Sequence, residues 1–423
     1  EQFKFQDQLN ILAEKGWLDK STAGYKLHQI MQSVVRNSFE PTCDYFKNLI
    51  NHLIQSLESS NITQSHWLVP YANSVLPQVK GVNNALRSLC YELCDAYYEL
   101  GKLLDALEIA EHYEKVCLEL DDQEHLSIVY DRKGNIYKSM GEIDKALHFF
   151  ELDMSLNKEL LGANPKSEHR KNSLAISYTK MGDSYLAQRN WDEALHYFKL
   201  YAQLSEELHQ KNPTSPGLKN DLAISYSRLG EINLSIGKTE EAIQYFEMYS
   251  DLKSQLNQDF PDSEEHKNGL AISNLKLGEA YEKQGDLERA LQFFTVFSTL
   301  SEEVQKANPK SEKLRYDYTI SQQKLGNVYL KQNQIDLAFN CYQKYLNLAQ
   351  QLFKAAPRNY NNEFILAHAY SCIGDIFVEQ KNPEARDYFL QSEKHYQALF
   401  DKTKISAFEN NLDIVRKKLQ RMA

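Results

Sequence analysis

Residues 167–213 read SEHRKNSLAISYTKMGDSYLAQRNWDEALHYFKLYAQLSEELHQKNP. Apolar or small residues recur three and four positions apart from residue 174 to 185, which is the stripe of an amphipathic helix. Asp192 then offers a side-chain oxygen for a new helix N-terminus. A second stripe runs from residue 194 to 208 until Pro213 stops it. The segment therefore predicts two helices joined by a short turn.

The same pattern recurs along most of the chain at intervals of 48 residues. The glycines in this register are Gly134, Gly182, Gly230, Gly278, Gly326 and Gly374. The alanines twelve positions later are Ala146, Ala194, Ala242, Ala290 and Ala338. The aromatics sixteen positions after the glycine are Phe150, Phe198, Phe246, Phe294 and Tyr342. The prolines are Pro165, Pro213, Pro261, Pro309 and Pro357. Such internal periodicity predicts a stack of helical hairpins, in which the small glycine and alanine residues let two helix backbones approach each other closely.

A glycine with an alanine twelve positions on and an aromatic sixteen positions on resembles the tetratricopeptide repeat. Seven repeats fit, the first with Cys94 at the glycine position. The first interval is 40 residues and the others are 48, against the usual 34. The predicted fold is an all-α tetratricopeptide superhelix of long helices, and Lys404 to Met422 is expected to cap it. The seventh repeat has lost one residue near Pro383, and Asn233 replaces the aromatic expected in the fourth.

The first 40 residues do not follow this pattern. Residues 12–36 read LAEKGWLDKSTAGYKLHQIMQSVVR and predict a helix, a two-stranded wing and a second helix. This string resembles the winged-helix domain of STAND-class nucleotide-binding switch proteins of the NB-ARC type. In that family a Met-His-Asp triplet opens the last helix, and its histidine contacts the β-phosphate of ADP. Leu27, His28 and Gln29 occupy the triplet, so the resemblance implies a nucleotide-sensing role for His28, or else a half-buried histidine at a strand end.

The expected domain organisation is a winged-helix remnant over residues 1–40, a helical linker over 41–82, the repeat array over 83–400 and a capping helix over 401–423. His66 to Leu76 resembles the linker of such switch proteins. DNA binding is disfavoured, because residues 1–38 carry five basic side chains against four acidic ones and the second helix has only Arg36.

Composition limits the class of partner. The net charge of −10 disfavours nucleic acid and anionic membranes as partners. The six cysteines form no CxxC pair, which indicates reduced thiols, and neither a membrane span nor a signal peptide is recognisable. We therefore expect a cytoplasmic protein.

No catalytic or metal-binding motif is present in the sequence. Gly237-Lys238-Thr239 imitates the end of a phosphate-binding loop, but Ile232 stands where that loop needs glycine, and the register predicts a turn between helices. We expect no enzymatic activity and no cofactor for this chain. The resemblance implies an ADP- or ATP-binding domain upstream of Glu1 in a longer protein.

In tetratricopeptide arrays the first helix of each hairpin lines the ligand groove. The resemblance places groove residues six, three and two positions before the repeat glycine and one, four and five after it. The residues predicted to bind a protein or peptide partner are Arg132, Asn135, Lys180, Asp183, Arg228, Glu231, Lys276, Glu279, Lys324 and Asn327. They form either a polar track that contacts the partner or i,i+3 ion pairs within single helices, each worth a few tenths of a kcal/mol.

Two functions are consistent with the sequence. The first is the ligand-sensing region of a STAND-type NTPase switch, acting in bacterial antiphage immunity, in signalling or in transcriptional regulation. The second is a freestanding tetratricopeptide scaffold that binds protein or peptide partners.

Overall fold

The structure is a computed structural model that describes residues 18–21, 24–27, 42–43, 46–58 and 62–422. The predicted helices at Gln8–Lys15 and Gln29–Asn37, together with Trp17 and His28, lie outside the described residues. Residues 1–188 and 189–423 form two compact units.

Within the described part of the first unit the chain forms a β-hairpin and seven helices. Strands β1 (Leu18–Ser21) and β2 (Gly24–Leu27) pair antiparallel, with Leu18 opposite Leu27. This pairing confirms the two predicted strands. The helices are α1 (Lys47–Glu58), α2 (Ile62–Val75), α3 (Asn84–Glu99), α4 (Leu103–Glu119), α5 (Gln123–Ser139), α6 (Ile143–Ala163) and α7 (Glu168–Ala187). A short 3₁₀ turn over Leu76–Gln78 ends the linker.

The second unit is helical throughout its described residues. Its helices are α8 (Trp191–Lys211), α9 (Pro216–Ser235), α10 (Thr239–Asp259), α11 (Glu264–Gln284), α12 (Leu287–Ala307), α13 (Glu312–Lys331), α14 (Ile335–Ala355), α15 (Tyr360–Glu379), α16 (Ala385–Thr403) and α17 (Ser406–Arg421). Residues 130–380, all of them described, contain no strand. From α3 to α16 the helices follow one another in seven successive pairs, as the glycine register predicts.

Serine residues cap the N-termini of four helices that come first in their repeats. Ser167, Ser215, Ser263 and Ser311 stand 48 residues apart, and each side chain accepts a hydrogen bond from the backbone N–H three residues on. The N-cap of α8 is Asn190, whose side chain accepts from the N–H of Glu193. The prediction of Asp192 as this cap was wrong by two residues.

The repeat glycines make room for an aromatic ring. A Cβ atom built on Gly134 would lie 2.4 Å from Phe150 Cε1, and one built on Gly230 would lie 2.4 Å from Phe246 Cε1. Both rings are fully buried. The expectation that two backbones approach each other at the glycine therefore needs correction, because the ring from the second helix fills that position.

Helix α17 closes the second unit. Leu412, Val415 and Leu419 are buried in one apolar cluster with residues of α15 and α16. Their spacing of three and four residues gives α17 a single apolar side, and its other positions are mostly exposed. Helix α17 lies within the stretch predicted as the capping helix. No helix among the described residues is both long and apolar enough to cross a membrane.

Candidate functional site

We call the first-helix face the surface formed by residues six, three and two positions before the repeat glycine and one after it. On a helix these positions are three or four residues apart and share one side. All ten predicted groove residues lie on this face and in the described part of the chain.

In the first unit, charged residues of this face connect successive repeats. Arg132 Nη2 donates to Asp95 Oδ2 at 2.9 Å, and Lys180 Nζ donates to Asn135 Oδ1 at 2.9 Å. In each contact, one residue lies two positions before the glycine position of its own repeat. The other residue lies one position after the glycine position of the preceding repeat. Asp183 lies 4.0 Å from Lys138 Nζ.

The second unit repeats this geometry. Lys276 Nζ is 2.9 Å from Glu231 Oε1, and Lys324 Nζ is 2.8 Å from Glu279 Oε1. Helix α17 extends the series, because Lys418 Nζ lies 2.7 Å from Asp375 Oδ1. The face is thus crossed by ion pairs that hold adjacent hairpins together.

These contacts revise the interpretation of the ion pairs. Arg228 and Glu231 form the predicted i,i+3 pair at 3.1 Å. Lys276 and Lys324 instead contact the preceding repeat, so their partners are 45 residues away in sequence. Asn327 accepts a hydrogen bond from the Tyr342 hydroxyl at 2.7 Å. Because the lysines and carboxylates of these ion pairs neutralise each other, the pairs present little net charge to a partner.

Isoleucine occupies the position six before the glycine in five repeats. These residues are Ile128, Ile176, Ile224, Ile272 and Ile320. Ile176 is 48% exposed and the other four are partly buried. Partly exposed apolar side chains that lie beside polar side chains are typical of surfaces that bind polypeptides. The sequence alone contained this signal, since the isoleucines follow the glycine register.

Two pockets open on the first-helix face of the first unit. The Tyr98 pocket has a volume of about 240 Å³ and is lined by Cys94, Asp95, Tyr98, Glu99, Arg132, Asn135 and Ile136. The Asp153 pocket has a volume of about 190 Å³ and is lined by Tyr91, Ser127, Ile128, Asp131, Arg132, Asp153, Asn157, Ser173 and Ile176. Arg132 separates the two pockets.

A buried polar cluster forms the floor of the Asp153 pocket. Asp153 Oδ2 accepts a hydrogen bond from Ser177 Oγ at 2.6 Å, and its Oδ1 accepts from Asn157 Nδ2 at 2.8 Å. Asp153 is 4% exposed and Asn157 is 3% exposed. Burial raises the pKa of Asp153 to about 7, despite the hydrogen bond from Ser177. Asp153 was not among the predicted site residues.

Acidic side chains predominate near these pockets. Burial, followed by the charges of Glu58 and Asp95, raises the pKa of Glu92 to about 7. Two cations lie nearby. Arg132 contacts Asp95 and Asp131, whose Oδ2 lies 3.2 Å from Arg132 Nη1, and Lys180 Nζ lies 3.7 Å from Asp131 Oδ1. This end of the face is therefore electrostatically suited to a cationic ligand.

The other sequence features have structural roles or lie outside the description. Gly237 has a φ of +83° and lies in the turn between α9 and α10, which confirms the turn prediction. No group of three metal-ligating side chains occurs among the described residues. None of the six cysteines, all of them within the described ranges, forms a disulfide. His28 lies outside those ranges.

Family models for the tetratricopeptide repeat match residues 128–159, 223–254, 275–307 and 321–352. The chain therefore contains tetratricopeptide repeats, and it has the all-α fold of tetratricopeptide arrays. No curated protein matches the sequence significantly.

Several solved structures are similar. The apo form of RapI shares 13% identity and a TM-score of 0.52, with 89% of this chain and 98% of that one covered. A STAND protein with a tetratricopeptide repeat sensor from Pyrococcus horikoshii shares 15% identity and a TM-score of 0.49, with 97% of this chain and 57% of that one covered. BtubC from P. vanneervenii shares 18% identity and a TM-score of 0.44, with 62% and 93% covered. At 13% identity the likeness to RapI concerns the fold alone.

Proposed function

We propose that this chain is the ligand-sensing region of a STAND-type NTPase switch, which binds a protein or peptide on its first-helix face. Binding there shifts the linker helices and the winged-helix module, and His28 then releases the nucleotide held by an upstream domain. Antiphage immunity and signalling are the processes that such a cytoplasmic switch serves. The chain itself catalyses no reaction.

Support for polypeptide binding comes from the first-helix face. Partly exposed isoleucines recur there beside polar side chains, so a bound chain finds an apolar contact and a hydrogen-bonding group in each of five repeats. The two pockets in the first unit add places where individual side chains of a ligand can be enclosed.

The observation that carries the switch assignment is the hairpin of β1 and β2. It lies where the winged-helix resemblance requires a wing, with Ser21 opposite Gly24 at the turn. His28 follows β2 directly in the sequence, at the position of the family's nucleotide-contacting histidine. The linker helices α1 and α2 then precede the repeats, which is the order that many bacterial STAND proteins have.

The natural full-length protein provides the test. Its reading frame upstream of Glu1 should encode a GxxxxGK[ST] motif, and the purified protein should retain ADP. His28→Ala should lower the ADP content measured by chromatography of the denatured protein. His52→Ala is the matched control, because His52 is an exposed residue of α1 and should leave the ADP content unchanged.

The same protein tests the sensing step. A polypeptide ligand should trigger ADP release and oligomerisation, detected by light scattering. A reading frame without the nucleotide-binding motif, or equal ADP content in the His28→Ala variant and the wild type, would overturn the switch assignment. If the chain then still binds polypeptides, the freestanding scaffold is its function. A DNA-binding domain in the same reading frame would make it the sensor arm of a transcriptional regulator.

A further inference from the structure

The Asp153 pocket exists because one repeat departs from the common pattern. Asp153 lies nineteen residues after its repeat glycine. At the same position the other repeats of regular register carry a buried aromatic side chain. These residues are Tyr113, Tyr201, Tyr249, Phe297 and Tyr345. An aspartate is much smaller than a tyrosine, so its presence leaves space between α5, α6 and α7 that the other repeats fill.

The pocket floor contains hydrogen-bond acceptors that lack donors. Asn157 is 3% exposed, and its Oδ1 atom is buried without a hydrogen-bond partner. Asp131 Oδ1 is likewise buried without a hydrogen bond, and the nearest ammonium in an ion pair with it, Lys180 Nζ, is 3.7 Å away. Leaving a buried acceptor unsatisfied costs about 1–3 kcal/mol, so a ligand that supplies N–H groups here gains that energy.

We propose that the Asp153 pocket binds the guanidinium group of an arginine side chain in the polypeptide that this region senses. The proposal rests on the proposed binding function and specifies its ligand chemistry. Asp153 provides negative charge, and Asp131 Oδ1 and Asn157 Oδ1 provide further acceptors. A guanidinium is planar, carries five N–H donors and is less strongly hydrated than an ammonium, which suits a confined set of acceptors.

The surroundings of the pocket fit an arginine side chain in other respects. Ile128 and Ile176 line the pocket, so the aliphatic stem of the ligand has apolar contacts while its head reaches the acceptors. Arg132 contacts Asp95, with its Nη2 2.9 Å from Asp95 Oδ2, and also Asp131 and Tyr91, and none of its hydrogen bonds is to Asp153 or Asn157.

Protonation of Asp153 should control binding. Burial raises the pKa of Asp153 to about 7, so at pH 5 the side chain is protonated and at pH 8 it carries its charge. The groups facing it are Ser177, Asn157, Ser127, Asp131 and Lys180. A guanidinium favours the ionised form. Arginine binding is therefore expected to be at least tenfold tighter at pH 8 than at pH 5.

The test uses the 423-residue chain and a pair of short peptides, acetyl-Ala-Arg-Ala-amide and its citrulline counterpart, titrated by calorimetry and NMR. Citrulline has nearly the shape of arginine without its charge. We expect binding of the arginine peptide with at least a tenfold preference over citrulline at pH 8. Asp153→Tyr, which restores the aromatic of the other repeats, should fold normally and reduce binding at least tenfold. Asp251→Asn, an exposed substitution on α10, should have no effect.

Three results would overturn the arginine site. They are equal affinity for the two peptides, unchanged binding by Asp153→Tyr, and displacement of the arginine peptide by millimolar Ca²⁺, which would indicate a cation site. These results are separable from failure of the proposed function. If a polypeptide triggers ADP release in both the wild type and Asp153→Tyr, the pocket assignment is wrong and the sensor function stands. If the arginine peptide binds as expected but the full-length protein holds no nucleotide, the switch assignment falls.

Discussion

Replacing Asp153 with asparagine should stabilise the region around α6, and more strongly at high pH. Burial raises the pKa of Asp153 in the folded protein to about 7, from an ordinary value of 3.8. Between these two values the folded state binds more protons than the unfolded state. The stability of the wild type therefore falls as pH rises through this window, and the loss persists above pH 7.

The size of the effect follows from the two pKa values. At about 1.4 kcal/mol per unit, a shift of about 3 units costs the wild type roughly 4 kcal/mol at pH 8. At pH 5 the side chain is mostly ionised in the unfolded state but protonated in the folded state, and the cost is about 2 kcal/mol by the same relation. Asparagine has nearly the same volume and no charge. The advantage of Asp153→Asn over the wild type should thus grow by about 2–3 kcal/mol between pH 5 and pH 8.

Hydrogen–deuterium exchange is the appropriate assay, because repeat arrays open locally and a single melting temperature does not report on one hairpin. Peptides covering α6 should exchange more slowly in the variant than in the wild type. This ratio should increase on the order of 50–100-fold from pH 5 to pH 8. Comparison at each pH cancels the intrinsic pH dependence of exchange. Asp251→Asn should show a ratio near one at both values, and a pH-independent ratio for Asp153→Asn would refute the reasoning.

Three further outcomes follow from the packing and the ion pairs. Gly230→Ala should destabilise its hairpin by about 1–3 kcal/mol, because the added methyl overlaps a buried ring, whereas Gly217→Ala, with no such contact, should be neutral in chemical denaturation. Lys418→Ala should expose α17 to faster hydrogen exchange, since Asp375, whose pKa is raised by burial, loses the cation that α17 supplies. Lys276→Glu should leave the circular dichroism unchanged and cost less than about 1 kcal/mol in denaturant titrations, because that partly exposed pair is screened by solvent. A large loss of helicity in the last variant would contradict the peripheral role of the pair.

The sequence predicted those features that repeat. Glycine, alanine and aromatic residues at fixed spacing encode one packed hairpin, and the helices from α3 to α16 follow one another in the predicted order. The serine caps were equally periodic, and reading Ser215 and Ser263 against the prolines would have placed the helix starts. The capping helix was also predictable, because Leu412, Val415 and Leu419 recur three and four residues apart.

Features that depend on contacts between repeats were harder to predict. The pairing of Lys276 with Glu231 rather than with a residue of its own helix depends on the side-by-side packing of adjacent hairpins, which a single helical period does not determine. The contact of Lys418 with Asp375 depends on the angle at which α17 docks. The Asp153 pocket arises from a residue that breaks a periodic pattern, and the regular spacing of the other residues does not indicate such a site.

In an array of similar repeats, each departure from the common residue requires a separate cause. A buried tyrosine or phenylalanine at the Asp153 position packs well in five repeats, and its hydrophobic burial contributes to stability. Asp153 lacks the hydrophobic contribution of an aromatic side chain. Its buried carboxylate, whose pKa is raised, destabilises the hairpin further. The neighbouring Asn157 leaves an acceptor unsatisfied, which adds to the cost. A ligand that supplies donors and positive charge removes the second and third of these penalties together. Ligand recognition is therefore expected at the second repeat, where these residues lower the stability of the array. The ion pairs between adjacent repeats do not lower its stability in this way.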